Sequence, residues 1–182
     1  MLVKKLAFGL MLGMGLSSAY AAVINLDSRY NGGPFDREIH LRNPVLYPAK
    51  AGVYKIEFLK AGEKGAVYTA WNGWGRVYNC DSKGANCQNG WGMYLQYDTI
   101  AAQSVADTVA LGVTNVRSTA EAAFQAGAYS GTQKRYRYII VDEDTTLRFF
   151  IPDNHHFDNV GGISFSITPL VEGPGISASG KR

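Results

Sequence analysis

Short runs of aromatic and β-branched residues, broken at close intervals by Gly, Asn and Asp, fill most of this chain. Such runs predict many short strands joined by tight turns. The candidate strands are Ala22–Leu26, Arg37–Leu41, Gly52–Phe58, Tyr68–Trp74, Gly92–Asp98, Arg135–Asp142, Thr145–Ile151 and Gly162–Thr168. Tyr54, Ile56 and Phe58 fall on one face of their strand. Leu147, Phe149 and Ile151 share a face in the same way, as do Ile163, Phe165 and Ile167. These last six side chains are the expected core. Asp142-Glu143-Asp144 reads as the loop of a hairpin between two strands.

One segment has a different period. Ser118-Thr119-Ala120-Glu121 has the form of a capping box, is followed by good helix formers, and meets Gly127 as a stop. It predicts a short helix over Thr119–Ala126 lying across one opening of a sandwich. Ala101 to Val116 carries no clear signal and reads either as a long surface connection or as a further strand.

The ends lie outside this pattern. Lys4 and Lys5 precede an apolar run from Leu6 to Leu16, and Ala19-Tyr20-Ala21 places small residues where a signal peptidase reads. Residues 1–21 therefore read as an export signal, too short to span a membrane convincingly. Residues 22–170 form one β-sandwich domain in this reading, and residues 171–182 a small, polar, disordered tail. The expected location is secreted or periplasmic, with no transmembrane segment in the mature chain.

Charge adds little. The formal net charge of +3 includes the two signal lysines, so the mature domain is near neutral. The alternating cluster Lys134-Arg135-Tyr136-Arg137 reads as a solvated strand face, and no nucleic-acid partner is expected. The two cysteines, Cys80 and Cys87, would meet an oxidising compartment and are expected to form a disulfide around a small polar loop. A zinc site there lacks a nearby histidine.

The densest chemistry lies in Pro152-Asp153-Asn154-His155-His156-Phe157-Asp158-Asn159, held between two predicted strands. Calcium takes six to eight oxygens from carboxylates, amides and backbone carbonyls. Asp153, Asp158 and Asn159 offer three such side chains on one loop, and the carbonyls of His155 or His156 offer more. The bland alternative is that Asp and Asn simply favour turns. Neighbouring His155 and His156 would point to opposite faces of a strand, which disfavours joint chelation of one ion. The second candidate region is Tyr68–Asn79, with Trp71 and Trp74, followed by Trp91. Trp71 is expected in the core. Trp74, Tyr78 and Trp91 are candidates for stacking on sugar rings, with Arg76, Asn89 and His156 as neighbours for hydroxyls. Catalytic signatures are absent: the chain has no G-x-S-x-G elbow, P-loop or dinucleotide fingerprint. A carboxylate pair such as Asp153 and Asp158 leaves a glycoside hydrolase as a third reading.

The run Phe150-Ile151-Pro152-Asp153 … Phe157-Asp158-Asn159-Val160-Gly161-Gly162-Ile163 resembles the closing strands of galactose-binding-domain-like β-sandwiches. It is similar both to calcium-dependent galactose-binding bacterial lectins and to exported bacterial proteins of the PEP-CTERM type. Val23–Asp27, Asn31-Gly32 and Tyr68–Trp74 resemble the second group as well. The resemblance implies an all-β jelly-roll sandwich of about eight strands with one short helix. It also implies calcium held by Asp153, a carbonyl of His155 or His156, Asp158-Asn159, and a distant carbonyl near Trp74. Three departures stand out: a shorter loop, Asp158 in place of an Asn, and the Cys80–Cys87 loop where the lectins contact sugar. The PEP-CTERM tail is also missing. The expectation is an exported, non-enzymatic, calcium-dependent module that binds a carbohydrate or glycoconjugate. The alternative is a structural or adhesion module that forms a homo-oligomer through an exposed strand edge.

Overall fold

The period-2 alternation of apolar residues becomes inward-facing positions in two packed sheets. The computed structural model describes residues 21–33, 43–78, 88–102, 107–129, 134–153, 156 and 159–172. Ten strands and one helix follow in the order β1 (Ala22–Asp27), β2 (Gly32–Gly33), β3 (Val45–Ala49), β4 (Gly52–Leu59), β5 (Trp71–Tyr78), β6 (Gln88–Thr99), β7 (Val109–Arg117), α1 (Ala120–Ala128), β8 (Tyr136–Val141), β9 (Thr145–Pro152) and β10 (Val160–Glu172). This is the expected all-β sandwich, with ten strands and one short helix among the described residues, against the expected eight or so strands.

One layer runs β1–β10–β4–β8, all antiparallel. The other runs β3–β9–β6–β7, with β5 against the first half of β6. The two-residue β2 adds to β9 in parallel. A single strand ties the layers together. β10 begins paired with β5, Val160 opposite Asn72 and Gly161 opposite Trp71, then continues between β1 and β4. The corner is Gly161, whose φ of 79° suits glycine; a Cβ there would lie 2.5 Å from the Ala70 carbonyl oxygen.

The core fills the space between the layers. Ile24, Leu26, Tyr54, Ile56, Phe58, Ile163, Phe165 and Ile167 come from one side. Met93, Leu95, Leu147, Phe149 and Ile151 come from the other. All six side chains expected in the core are buried, and so are Tyr54, Ile56 and Phe58. Phe149 and Phe165 meet across the sandwich with ring centroids 4.9 Å apart. Burying a side chain of this size contributes about 1.5–3 kcal/mol each, which is what holds the sheets face to face.

Several boundaries differ from the sequence reading. Tyr68–Ala70 lie outside β5, because their polar groups are used elsewhere. The Tyr68 amide donates to Ser164 Oγ at 2.8 Å, and the Ala70 carbonyl accepts from Gly162. β3 was hidden by Pro48, which an edge strand tolerates. Val109–Arg117, without signal in the sequence, is a full strand beside β6.

The helix is capped by Thr119 rather than Ser118: its Oγ1 accepts from the Ala122 amide at 3.1 Å. Glu121 does not close a capping box. It accepts from Gln125 and pairs with Lys60. Gly127 is not a stop either, since the helix continues to Ala128. A Cβ at Gly127 would lie 2.2 Å from Met93 Cβ, so the glycine lets the helix press onto β6.

Among the described residues no helix is long and apolar enough to cross a membrane. β10 runs two residues past Leu170. The expected signal segment up to Tyr20, the strand at Arg37–Leu41, residues 173–182 and the Cys80–Cys87 disulfide lie outside the described residues.

Candidate metal centre

The end of β9, the start of β10 and the β1–β2 turn meet at one place. Asp153 follows β9 directly and is 5 % exposed; Asn159 precedes β10 and is fully buried. Between them His156 is also buried, and its Cβ and ring pack on Gly32 of β2: a Cβ built there would lie 2.8 Å from His156 Cβ. The Asn159 amide donates to the His156 carbonyl at 3.2 Å, which turns the chain sharply before β10.

The β1–β2 turn grips Asn159 from the other side. Asn159 Nδ2 donates to the Ser28 carbonyl at 3.1 Å. Arg29 Nε donates to the Asn159 carbonyl at 2.8 Å. Ser28 donates twice to the Gly161 carbonyl, from its amide at 3.1 Å and from its hydroxyl at 2.8 Å. Tyr68 steadies the same turn, its hydroxyl donating to Asp27 Oδ2 at 2.7 Å. Burial, and then this hydrogen bond to the Asp27 carboxylate, push the Tyr68 phenol up to about 12.

These contacts fix which way the Asn159 amide faces. Its NH₂ is held by the Ser28 carbonyl, so Oδ1 points the opposite way. There it has no hydrogen-bond partner. β5 shows what it faces instead. A Cβ built on Gly73 would lie 3.4 Å from Asp153 Oδ2 and 3.5 Å from Asn159 Oδ1. Two oxygens of buried residues, one of them from a carboxylate, therefore lie within 3.5 Å of one point beside the β5 backbone. Rotating the amide would only move the conflict, because Oδ1 would then face the Ser28 carbonyl. A buried acceptor left without a donor costs about 1–3 kcal/mol. A hard cation beside them would remove that cost, and carboxylate, amide and carbonyl oxygens are the donor set that calcium takes.

The remaining expected residues divide. Trp74 follows Gly73 in β5. The side chains of Trp74, Arg76, Tyr78 and Asn89 lie outside the description, as do His155 and Asp158 entirely. Among the described residues no three His, Cys, Asp or Glu side chains form a metal cluster. Trp71 and Trp91 are both partly buried against the core, and Trp71 Nε1 donates to the Tyr94 carbonyl at 3.1 Å. The Trp91 ring packs 3.3 Å from where a Gly161 Cβ would stand.

Sequence reasoning did not single out Ser28, Arg29 or Gly73. The Asp27-to-Gly33 stretch has the composition of a tight turn, but nothing local shows that it reaches across to Asn159. Asn72 was also missed: it is buried with its Oδ1 unpartnered. The basic cluster of β8 is largely spent internally. Arg135 pairs with Glu57 and Glu63, and Arg137 donates to the carbonyls of Gly127, Ala128, Lys134 and Tyr136. Compared with known proteins, the chain matches no family model, no curated protein and no solved structure.

Proposed function

We propose that this chain is an exported, non-catalytic, calcium-dependent carbohydrate-binding domain. The observation that carries the cation is the meeting of Asp153 Oδ2 with the unpartnered Asn159 Oδ1 beside Gly73. Asp153 and Asn159 would hold calcium, with carbonyls from β5 and from the loop, and Asp158 on that loop is a further donor. The ion would supply positive charge that fixes the loop and offers coordination positions to vicinal hydroxyls. The chain's own residues do the positioning: Ser28 aims the Asn159 amide, Arg29 holds its carbonyl, and Gly161 lets β10 leave the site toward the other sheet. The sugar half rests on the resemblance to calcium-dependent lectins and on the aromatic residues around β5 and β6. Export rests on residues 1–21.

Calcium is titrated calorimetrically into chelator-stripped protein. Binding with a Kd at or below about 10⁻⁴–10⁻³ M, the range of extracellular modules, is expected. Absence of both heat and thermal stabilisation at millimolar calcium sinks the reading. A glycan array with and without chelator then tests the ligand.

One observation favours a second reading. Asp153 and Asn159 are almost completely shielded from solvent. An ion enclosed there would staple the loop to β5 without touching a ligand, as in a structural or adhesion module of the cell envelope. Calcium would then stabilise the fold, and the array would stay blank.

A further inference from the structure

The turn that grips Asn159 also carries two side chains that the fold leaves in solvent. Arg29 is exposed, and Tyr30 is 64 % exposed. The backbone beneath them is firmly held. Tyr30 and Asn31 amides both donate to the Asp27 carbonyl, at 3.1 and 2.8 Å. Asp27 Oδ1 accepts from the Arg29 amide at 2.8 Å, and Asn31 Oδ1 accepts from the Asp27 amide at 2.7 Å. Asn31 also donates to the Asn43 carbonyl and accepts from the Ile151 amide, which ties the turn to β9.

Arg29 is oriented as well as presented. Its Nε is used on the Asn159 carbonyl, which fixes the plane of the guanidinium. Its two Nη nitrogens have no partner among the described residues. Arg135 and Arg148 differ, since each is closed by carboxylates. A guanidinium held by Nε on an exposed residue, with both Nη nitrogens unused among the described residues, can take a carboxylate or sulfate in two parallel bonds. Beside it an exposed tyrosine ring offers an apolar face to a sugar ring.

We propose that Arg29 and Tyr30 form a subsite for an acidic saccharide. Arg29 takes the carboxylate or sulfate of the sugar, and Tyr30 takes the ring. The proposal deepens the carbohydrate reading above and rests on it for the saccharide class. Both the guanidinium and a cation bound at Asp153 and Asn159 select for a negative ligand.

The test compares a glucuronate-containing tetrasaccharide with its carboxyl-reduced neutral counterpart, titrated into the full mature chain at saturating calcium. Inorganic sulfate alone forms a third arm. The acidic tetrasaccharide is expected to bind at least about tenfold more tightly than the neutral one. Arg29→Gln is expected to remove that preference, and Tyr30→Ala to weaken both tetrasaccharides alike. Calcium calorimetry on each variant separates loss of the ion from loss of the ligand. Equal affinity for the two tetrasaccharides, an Arg29→Gln variant that keeps the preference, or binding of neither sugar overturns the subsite. Sulfate matching the acidic sugar, with Tyr30→Ala silent, reduces it to a plain anion site and overturns the saccharide assignment. Acidic preference that survives complete absence of calcium binding would leave the subsite standing and remove the calcium reading instead.

Discussion

Strand β9 runs past two buried carboxylates, and their polar neighbours differ. Asp98 of β6 is fully buried opposite Arg148 and receives two hydrogen bonds from it, Nε to Oδ1 at 2.6 Å and Nη2 to Oδ2 at 2.9 Å. The site is closed: both carboxylate oxygens meet the guanidinium fork. At the end of the same strand, Asp153 shares its space with an amide oxygen that has no donor. Asp98 is closed by a guanidinium, whereas the group left open beside Asp153 is the buried amide oxygen of Asn159. A buried acceptor without a donor calls for an explanation, and a bound cation is the one proposed above.

The comparison breaks most easily at its closed end. Arg148→Met leaves Asp98 buried without its counter-charge, and such losses typically cost about 3–5 kcal/mol. Urea denaturation should show a loss of that size, with no change in calcium response. Adding Asp98→Leu to the same chain should restore much of it, because a buried pair is often no better than well-packed apolar residues. If Arg148→Met costs nothing, the pair is not the closed site described here. The open end should behave inversely. Calcium at a hundred times its Kd should add about 2.7 kcal/mol to the stability of the native chain. Asp153→Asn should lose that gain. A variant that still gains fully from calcium would move the ion elsewhere.

A finer probe is Gly73→Ala. The glycine has an ordinary backbone, so the methyl itself is the perturbation. It would stand 3.4 Å from Asp153 Oδ2, 3.5 Å from Asn159 Oδ1 and 3.0 Å from the Trp71 ring. It therefore occupies space beside both oxygens. Calcium affinity should fall by about tenfold or more, equivalent to about 1.4 kcal/mol, while unfolding in chelator changes by less. Equal losses with and without calcium would mean only that Trp71 is crowded.

Of the closed half only the alternation was legible beforehand. Leu147, Phe149 and Ile151 on one face of β9 put Arg148 on the other, but its partner Asp98 follows from the register of β6 against β9, which no local pattern encodes. The open half was legible only as composition. The loop between Pro152 and Val160 announced its oxygens, but Ser28 aims Asn159 from 131 residues away, and no local pattern encodes that distance. Gly73 was invisible for a related reason: its role is an absent side chain at a contact made by tertiary packing. The helix shows the same limit on a smaller scale. Gly127 reads as a stop in sequence, yet Met93 makes it a point of close approach.

The smallest effect tests whether the β1–β2 turn is an independent clasp. The Tyr68 phenol, pushed up to about 12 by burial and by its bond to Asp27, would ordinarily titrate at 10.0. The sign follows from linkage: the folded state prefers the protonated phenol, so its contribution is complete below pH 10 and is lost as pH rises toward 12. Urea midpoints measured from pH 9 to pH 12 should therefore fall for the native chain, and Tyr68→Phe should make the fall shallower. Tyr47 and Tyr97 are also pushed up by burial, so part of the slope must survive in the variant. Parallel curves would mean that Tyr68 titrates alike in both states and does not secure the turn. A shallower slope with unchanged calcium affinity would mean that Ser28 aims Asn159 without help from Tyr68. If affinity falls as well, the clasp and the metal centre are one unit, and the open end of β9 owes its shape to the opposite end of the chain.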